Sequence, residues 1–287
     1  MDRFNPESLR KLYIPASNSH KGQNGKLLII AGSTLFHAAS LWPLMVASRM
    51  LDMVFYSSVP ENNEIVQKAK EEFRNGIVVR RNNLDSYVKE ADCILIGPGL
   101  PRKEGESTED DDTKELTERL LKAYPDKKWV IDGGSLQVID PNILLKLEQM
   151  PILTPHHGEF KKLFNFQLPI FNSQSIINEQ FSNEIQEIAN KFRSVILLKG
   201  EVDVIASPGE VVSVSGGNAG MTKGGTGDVL AGLTASLYCK NDDPFLVACA
   251  ASHINKKAGE SLEKSMGIYF NATDLASEIP KIMKELL

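Results

Sequence analysis

The sequence predicts an α/β protein in which helices cover both faces of a mostly parallel sheet. Short apolar segments alternate with longer amphipathic segments along most of the 287 residues, a rhythm typical of parallel β-α-β units. Several apolar segments are almost continuous in Val, Ile and Leu, as expected for strands that are buried on both faces. The length suits one large domain, so we expect residues 1–287 to form a single domain.

Strand and helix signals alternate from the first apolar run onward. Short apolar runs predict strands at residues 26–31, 53–59, 77–79, 93–96, 129–131, 152–154 and 195–198. Amphipathic segments predict helices at residues 38–51, 62–74, 113–123, 176–192, 227–239, 244–263 and 273–286. Two later runs, 202–206 and 211–214, flank Ser-Pro-Gly-Glu and predict a hairpin that closes one edge of the sheet. The acidic stretch 104–112 is interpreted as a solvated loop whose charges favour the start of the next helix.

Composition and charge exclude several classes of protein. The chain is 42% apolar and 24% charged, as is typical of globular proteins, and its net charge of −5 gives no indication of nucleic-acid binding. Cys93, Cys239 and Cys249 lie in apolar surroundings and predict reduced thiols rather than disulfides. Residues 1–19 lack the apolar core of a signal peptide, and no run reaches the roughly 18 apolar residues of a membrane span. We therefore expect a cytoplasmic protein that binds neither nucleic acid nor membrane.

Glycine and polar residues follow five of the predicted strands. In open α/β sheets, ligands bind beyond the carboxyl ends of the strands. A single such segment would be an ordinary turn, whereas five at one edge predict a shared cleft. The five segments are Gly32-Ser33, Gly97-Pro98-Gly99, Asp132-Gly133-Gly134, residues 155–159 and Lys199-Gly200.

The strongest indication of chemistry is the glycine-rich run 216–232, GGNAGMTKGGTGDVLAG, which leads into an apolar helix. Glycines allow the backbone to approach a ligand closely, and free N–H groups at a helix start bind phosphate. Asp228 falls in the first turn and is a candidate general base for a hydroxyl that attacks a phosphoryl group. Alternatively, its carboxylate only complements the helix dipole. The spacing matches neither the P-loop nor the dinucleotide-binding fingerprint.

Three further polar side chains have two interpretations each. His156 and His157 lie in a polar turn before an apparent helix near Glu159, and they either contact a ligand or are solvated. Lys199 either neutralises a phosphate or is simply the charged end of a strand.

The run NAGMTKGGTGDVLAG at residues 218–232 resembles the signature of the nucleotide-dependent NAD(P)HX dehydratases, which belong to the ribokinase-like superfamily. The resemblance extends over nearly the whole chain. It includes KLLIIAGS at residues 26–33, ILIGPGL at 94–100, ILTPHHGEF at 152–160 and LLKGEVDVIASPG at 197–209. The ordered combination is more specific than the GGTGD string, which alone indicates only the superfamily. The resemblance implies a ribokinase-like three-layer α/β/α sandwich with a mostly parallel central sheet.

The family implies repair of hydrated nicotinamide nucleotides. The hydroxyl of NADHX or NADPHX is phosphorylated from ADP or ATP, and phosphate then leaves with help from the ring nitrogen, so that NADH or NADPH is restored. Phosphate is a much better leaving group than hydroxide. Mg²⁺ is implied by the phosphoryl chemistry, although the sequence identifies no metal ligand. The resemblance also implies a homotetramer, and we expect any NAD(P)HX epimerase to be a separate protein.

Site residues can be carried over by position within the matching motifs. Asp228 would act as the base and contact the hydrated ring, and Ala39, Gly99 and His156 would also contact the NAD(P)HX. Gly225, Thr226 and Gly227 would hold the transferred phosphate. The remaining nucleotide-binding residues would be Lys199, Gly200, Glu201, Val202, Asp203 and Asn218, with Met221 shaping the loop near the phosphates.

The chain departs from the family pattern at several positions that we expect on the substrate and nucleotide walls. The pattern Gly-Ala is Ala38-Ala39 here, Gly-Ala-Gly is Leu51-Asp52-Met53, and the second acidic residue of Asp-Ala-Asp is Gly134. A glycine is replaced by Pro101, and a threonine by Asp203.

Two other functions compete with the dehydratase. A ribokinase-like kinase for a small hydroxyl substrate, such as a vitamin precursor, would use the same base but stop at the phosphorylated product. A nucleotide-binding sensor without turnover would not require the carboxylate of Asp228.

Overall fold

A computed structural model describes residues 1–69, 76–102, 111–166 and 179–287. Its strands, all in one sheet, are β1 Asp2–Arg3, β2 Lys26–Ile30, β3 Met53–Ser57, β4 Ile77–Val78, β5 Cys93–Ile96, β6 Lys128–Ile131, β7 Ile152–Leu153, β8 Val195–Leu198, β9 Asp203–Ala206 and β10 Val211–Val214. Its α-helices are α1 Ala38–Ala47, α2 Pro60–Ala69, α3 Leu84–Glu90, α4 Thr113–Ala123, α5 Gly133–Val138, α6 His157–Phe164, α7 Glu179–Lys191, α8 Thr226–Lys240, α9 Pro244–Met266 and α10 Ala272–Leu286.

The sheet is parallel over most of its width. Its strand order is β1-β10-β9-β8-β7-β6-β5-β2-β3-β4. Neighbouring strands from β8 to β4 are parallel, whereas β9 runs antiparallel to both β8 and β10. Strand β1 pairs in parallel with β10. The hairpin β9–β10 is therefore followed by one more strand and does not form the edge that the sequence predicts. Strand β1 is short and forms only by pairing with a distant part of the chain, so no local sequence pattern predicts it.

Successive side chains of a strand point to opposite faces of the sheet and therefore pack into two different cores. Leu27 and Ile29 of β2 pack in the core beneath α1, α8, α9 and α10, whereas Leu28 and Ile30 pack in the core beneath α3 to α7. All four side chains are fully buried. A strand covered on both faces needs apolar residues at every position, which explains the continuous aliphatic run. The predicted three-layer α/β/α arrangement is confirmed.

Most element boundaries agree with the prediction to within a few residues. Helix α4 and strands β5, β8 and β10 have the predicted bounds. The first predicted helix ends at Ala47 rather than residue 51, and α3, α5 and β1 were not predicted. Residues 70–74 and 176–178 of two predicted helices, and residues 104–110 of the acidic stretch, lie outside the described residues. None of the described helices combines the length and apolar character that crossing a bilayer requires.

The chain changes its direction of travel across the sheet between β2 and β5. From β2 it proceeds outward through β3 and β4, then returns to place β5 on the other side of β2. At such a switch point the loops that follow the two strands diverge and leave a crevice at the carboxyl ends. The loops after β2 and β5 therefore flank a natural binding site.

Candidate active site

Loops from the carboxyl ends of the strands meet at one edge of the sheet, as the sequence predicts. The backbone N–H of Gly32 donates to the carbonyl of Pro98 over 2.7 Å, which connects the loop after β2 to the loop after β5. The N–H of Lys199 donates to the carbonyl of Pro155 over 2.8 Å, and a β-bridge pairs Lys199 with His156. Sheet register thus brings distant segments of the sequence into one site.

The glycine-rich run forms the start of α8. Gly225 adopts φ +93°, and a Cβ there would lie 2.4 Å from the ring of Trp42, so glycine is required at this position. The Thr226 hydroxyl donates to the carbonyls of Met221 (2.6 Å) and Lys223 (2.9 Å) and fixes the preceding loop against the helix. First-turn amides of a helix have no intrahelical acceptor, and the helix dipole adds positive potential there. The arrangement can bind an anion.

Two cavities flank this helix start. The hairpin cavity, of about 840 Å³, lies against the β8–β9 turn and the loop 215–222. The switch cavity, of about 770 Å³, lies between the loops that follow β2 and β5. Five residues line both cavities, namely His156, Lys199, Thr222, Thr226 and Gly227. The start of α8 therefore lies where the two cavities meet.

The predicted site residues divide between the two cavities. Ala39, Gly99 and Asp228 line the switch cavity, and His156 lines both. The predicted nucleotide-binding residues on the hairpin cavity are Lys199, Gly200, Glu201, Val202, Asp203, Asn218, Thr226 and Gly227. Gly225 lines the switch cavity instead, next to the ring of Trp42, which lines the same cavity.

Lys199 places a positive charge between the cavities. Its Nζ lies 2.8 Å from Asp132 Oδ1 and 4.0 Å from Glu159 Oε2. Thr154 donates its hydroxyl to the same Asp132 oxygen over 2.8 Å. Burial acts to lower the pKa of Lys199, but the two carboxylates outweigh it and raise that pKa. The ammonium group is therefore charged, and a Cβ at Gly227 would lie 3.4 Å from it.

Asp228 is a carboxyl group with an unusual proton affinity. Burial is the largest cause that raises its pKa, and repulsion from Asp132 and then from Glu159 adds to it. Attraction to Lys199 opposes these effects, and the resulting pKa is about 8. Lys199 is hydrogen-bonded to Asp132 rather than to Asp228. Its charge therefore offsets only part of the increase in the pKa of Asp228. A carboxyl group with a pKa near the working pH suits proton abstraction.

His156 acts as the N-cap of α6. Its Nδ1 accepts from the N–H groups of Gly158 (3.0 Å) and Glu159 (3.2 Å), and Glu159 Oε2 accepts from the N–H of His156 over 2.9 Å. Burial and then the charge of Lys199 lower the pKa of His156. The ring is therefore neutral with its proton on Nε2, since Nδ1 must be an acceptor. Burial and then His156 also lower the pKa of His157.

Asp203 organises the turn that lines the hairpin cavity. Its carboxylate accepts from the N–H of Gly200 (2.9 Å) and from the hydroxyl of Ser252 (2.7 Å). Lys256 Nζ lies 3.3 Å from the same carboxylate and donates to the carbonyls of Gly200 and Glu201. Asp203 and Lys256 are almost fully buried. The carboxylate that replaces the family threonine thus compensates a buried ammonium group on α9.

The other departures from the family pattern have different locations. A Cβ at Gly134 would lie 2.2 Å from the carbonyl oxygen of Leu100, so this backbone leaves no room for an acidic side chain. Asp52 accepts from the N–H groups of residues 22–24, which precede β2 at the amino edge of the sheet. Neither residues 51–53 nor Pro101 lines either cavity, so the expectation that they form site walls was wrong.

Several residues that line the cavities were not selected from the sequence. Glu159 and Asp132 flank Lys199, and Trp42 packs on the glycine loop. The segments that contain Asp132 and Glu159 were placed in the predicted cleft because each directly follows a strand, but neither side chain was assigned a role. The helical positions of Trp42 and Lys256 carry no such local signal.

A protein-built metal site is not found in the described residues. No group of three or more His, Cys, Asp or Glu side chains there is arranged to hold a cation. Asp132 and Glu159 both lie beside Lys199, whose ammonium group already compensates their charge. These residues do not fit a resident Mg²⁺ ion.

The sequence matches the NAD(P)H-hydrate dehydratase family over residues 27–281. A bifunctional NAD(P)H-hydrate repair enzyme of Methanocaldococcus jannaschii is 35% identical over 276 residues, which cover 93% of this chain and 50% of that protein. An ADP-dependent (S)-NAD(P)H-hydrate dehydratase of Nitrosopumilus maritimus is 32% identical, with 96% of this chain and 95% of that protein covered. The chain thus spans about half the length of the bifunctional relative and nearly all of the other.

Solved structures share the fold. The ADP/ATP-dependent NAD(P)H-hydrate dehydratase of Bacillus subtilis, co-crystallised with ATP and Mg²⁺, superimposes with a TM-score of 0.81 at 24% identity and covers 100% of this chain. A ribokinase-like superfamily protein of Enterococcus faecalis gives 0.78 at 23% identity. The fold is thus ribokinase-like, and the family match, the shared motifs and the paired cavities agree: this chain belongs to the NAD(P)H-hydrate dehydratase family.

Proposed function

We propose that the protein restores NADH and NADPH from their hydrates at the expense of ADP or ATP. The observation that carries this proposal is the meeting of two cavities at the start of α8, with Asp228 on the switch side only. A nucleotide donor occupies the hairpin cavity, and the hydrated nicotinamide ring occupies the switch cavity. The names of the M. jannaschii and N. maritimus relatives support the same assignment.

The donor's terminal phosphate lies against the first-turn amides of α8. Thr226 and Gly227 line both cavities, so a phosphate there faces the ring hydroxyl. Lys199, beside Gly227, compensates charge on the phosphoryl oxygens as they transfer. Asp132 and Glu159 keep the ammonium group charged and in place.

Asp228 is the general base. Its carboxylate accepts the proton of the ring hydroxyl while the hydroxyl oxygen forms a bond to the terminal phosphorus, and the donor's bridging P–O bond breaks. The nucleotide leaves shortened by one phosphate. Because the pKa of Asp228 is about 8, much of the enzyme carries a protonated acid at neutral pH, and the rate should increase as pH rises through that value.

Elimination completes the reaction. The ring C–O bond breaks, its electrons leave with phosphate, and the nitrogen lone pair forms a C=N bond. Loss of a proton from the neighbouring carbon then gives the C=C bond of the reduced ring. The net change is loss of one water from the hydrate and conversion of ADP to AMP and phosphate, or of ATP to ADP and phosphate.

Apolar side chains around the switch cavity suit a flat heterocycle. Leu35 and Phe36 line it although their side chains are 63% and 39% exposed, and Trp42 lies beside the glycine loop. Exposed aromatic and aliphatic groups at a cavity mouth can stack on a ring that arrives from solvent. Ala39, Gly99 and His156 form the adjoining wall.

The remaining assignments follow from the same function. We propose that the chain acts as a single domain, that it forms a homotetramer in the cytoplasm, and that an NAD(P)HX epimerase supplies the reactive epimer. Mg²⁺ enters with the nucleotide phosphates, since the described residues build no site of their own. Light scattering after size exclusion tests the assembly.

The test is a coupled assay with hydrated NADH or NADPH, magnesium and either ADP or ATP. Recovery of reduced-nicotinamide absorbance matched by released phosphate supports the proposal and identifies the donor. A stable phosphorylated product without recovery would indicate a simple kinase, and no turnover with either donor would overturn the proposal.

A further inference from the structure

One buried amide of the hairpin cavity makes no hydrogen bond with the described part of the chain. Asn255 of α9 lines this cavity and is only 5% exposed. Its Oδ1 is buried without a partner, and neither end of the amide bonds to any described part of the chain. An unmade hydrogen bond at such a site is costly, and it requires an explanation.

Neighbouring polar side chains of the cavity are already satisfied. Asn218 donates to the carbonyl of Gly259 over 2.7 Å and accepts from the N–H of Gly220 over 2.8 Å. Lys256 and Asp203 are paired with each other. Glu201 and Ser215, by contrast, are exposed to solvent. Asn255 is thus the buried polar group of this lining that the described chain leaves available for a ligand.

A carboxamide presents an acceptor and a donor side by side. This pattern is complementary to the edge of adenine, where the N6 amine donates and N7 accepts. Replacement of the amine by an oxygen puts two acceptors on that edge, and the amide can satisfy only one of them. Rotation of the amide exchanges its two ends, so either end can point into the cavity.

We propose that Asn255 recognises the adenine base of the nucleotide donor and makes the hairpin cavity selective for adenine over 6-oxopurines. Because it concerns the donor base, this inference rests on the function proposed above. Leu230, Met221 and Val202, which line the same cavity, supply apolar surface for the face of the base. The amide of Asn255 hydrogen-bonds to the edge of the base.

The test is direct binding of ADP and of inosine diphosphate by calorimetry, without the second substrate. For the unaltered protein we expect ADP to bind about tenfold or more tightly than inosine diphosphate. For Asn255→Leu, which is similar in size and lacks hydrogen-bonding groups, we expect ADP binding to weaken about tenfold and the preference to disappear. Asn190→Leu, at an exposed position outside the cavity, is the matched control and should bind like the unaltered protein.

Thermal unfolding separates recognition from a structural role. Replacement of an unpartnered buried amide by an apolar group should leave the melting temperature unchanged or raise it, so a folded Asn255→Leu protein with weak ADP binding supports the proposal. Equal preference for the two nucleotides in the unaltered protein, or unchanged preference in Asn255→Leu, would overturn it. Asn255→Asp, which keeps the acceptor for N6 but lacks the donor to N7, should bind ADP more weakly and still disfavour inosine diphosphate. Absence of NADH recovery with intact Asn255-dependent ADP selectivity would reject only the proposed function.

Discussion

Replacement of Asp228 by asparagine should stabilise the protein while it abolishes turnover. In the folded protein the pKa of Asp228 is about 8, against an ordinary value of 3.8. A folded pKa above the unfolded value means that stability is fully present below about pH 3.8 and is lost as pH rises towards 8. Asparagine is neutral at every pH and avoids this loss.

The magnitude follows from the same two values. The pKa interval from 3.8 to about 8 limits the free energy of unfolding lost when Asp228 ionises to roughly 6 kcal/mol, at about 1.36 kcal/mol for each pH unit. Asp228 is partly exposed, and its surroundings relax around the charge. We therefore expect Asp228→Asn to raise the free energy of unfolding by about 2 kcal/mol at pH 8.5. At pH 5 the gain should be less than about a third of that value.

The assay is thermal and urea unfolding of the two proteins between pH 5 and pH 8.5 at constant ionic strength and without nucleotide. A gain of about 2 kcal/mol corresponds to a rise in melting temperature of about 3 °C for a chain of this size. Turnover of hydrated NADH should decrease by at least about 100-fold. Asp126→Asn, at an exposed position outside both cavities, controls for the substitution itself.

Equal stability of the two proteins at pH 8.5, or a gain that does not grow with pH, would refute the argument that burial and neighbouring carboxylates destabilise the charged form of Asp228. Loss of stability in Asp228→Asn would point instead to a hydrogen-bonding role in the helix start.

Three other substitutions test separate parts of the site. Glu159→Gln removes one of the charges that raise the pKa of the proposed base, so the acid limb of the kcat/KM profile should move to lower pH; an unmoved or raised limb would contradict this. Asp203→Ala leaves the Lys256 ammonium group buried without its counter-ion and should lower the free energy of unfolding in urea by about 3 kcal/mol. Unchanged stability would show that the carbonyl acceptors of Lys256 are enough to stabilise its buried charge. Gly225→Ala should lower kcat/KM by at least about tenfold because φ is +93° and an aromatic ring fills the space, while Gly224→Ala, which meets no atom within 4 Å, should retain activity; equal effects would remove the steric argument.

Local sequence patterns determined much of the architecture. The continuous aliphatic runs predicted the strands because a strand covered on both faces has no position for a polar side chain. The glycine-rich run predicted a close approach of the backbone to a ligand at the start of α8, and Gly225 does adopt a conformation that other residues rarely accept. These features depend on neighbours in sequence, so a single chain reveals them.

Family motifs also indicated the site residues, but not their arrangement. The segments that contain His156, Lys199 and Asp228 were each identified, and the structure brings all three to the switch cavity. Their meeting at one cavity depends on strand order, and that order is fixed by pairing between segments far apart in the chain.

Tertiary structure alone decided the electrostatics. The pKa of Asp228 depends on burial and on Asp132 and Glu159, which come from two other strand ends. Lys256, whose sequence context is an ordinary amphipathic helix, becomes a buried cation only because α9 packs over the turn that carries Asp203. Charge interactions and desolvation depend on distances through space, and a sequence pattern records only distances along the chain.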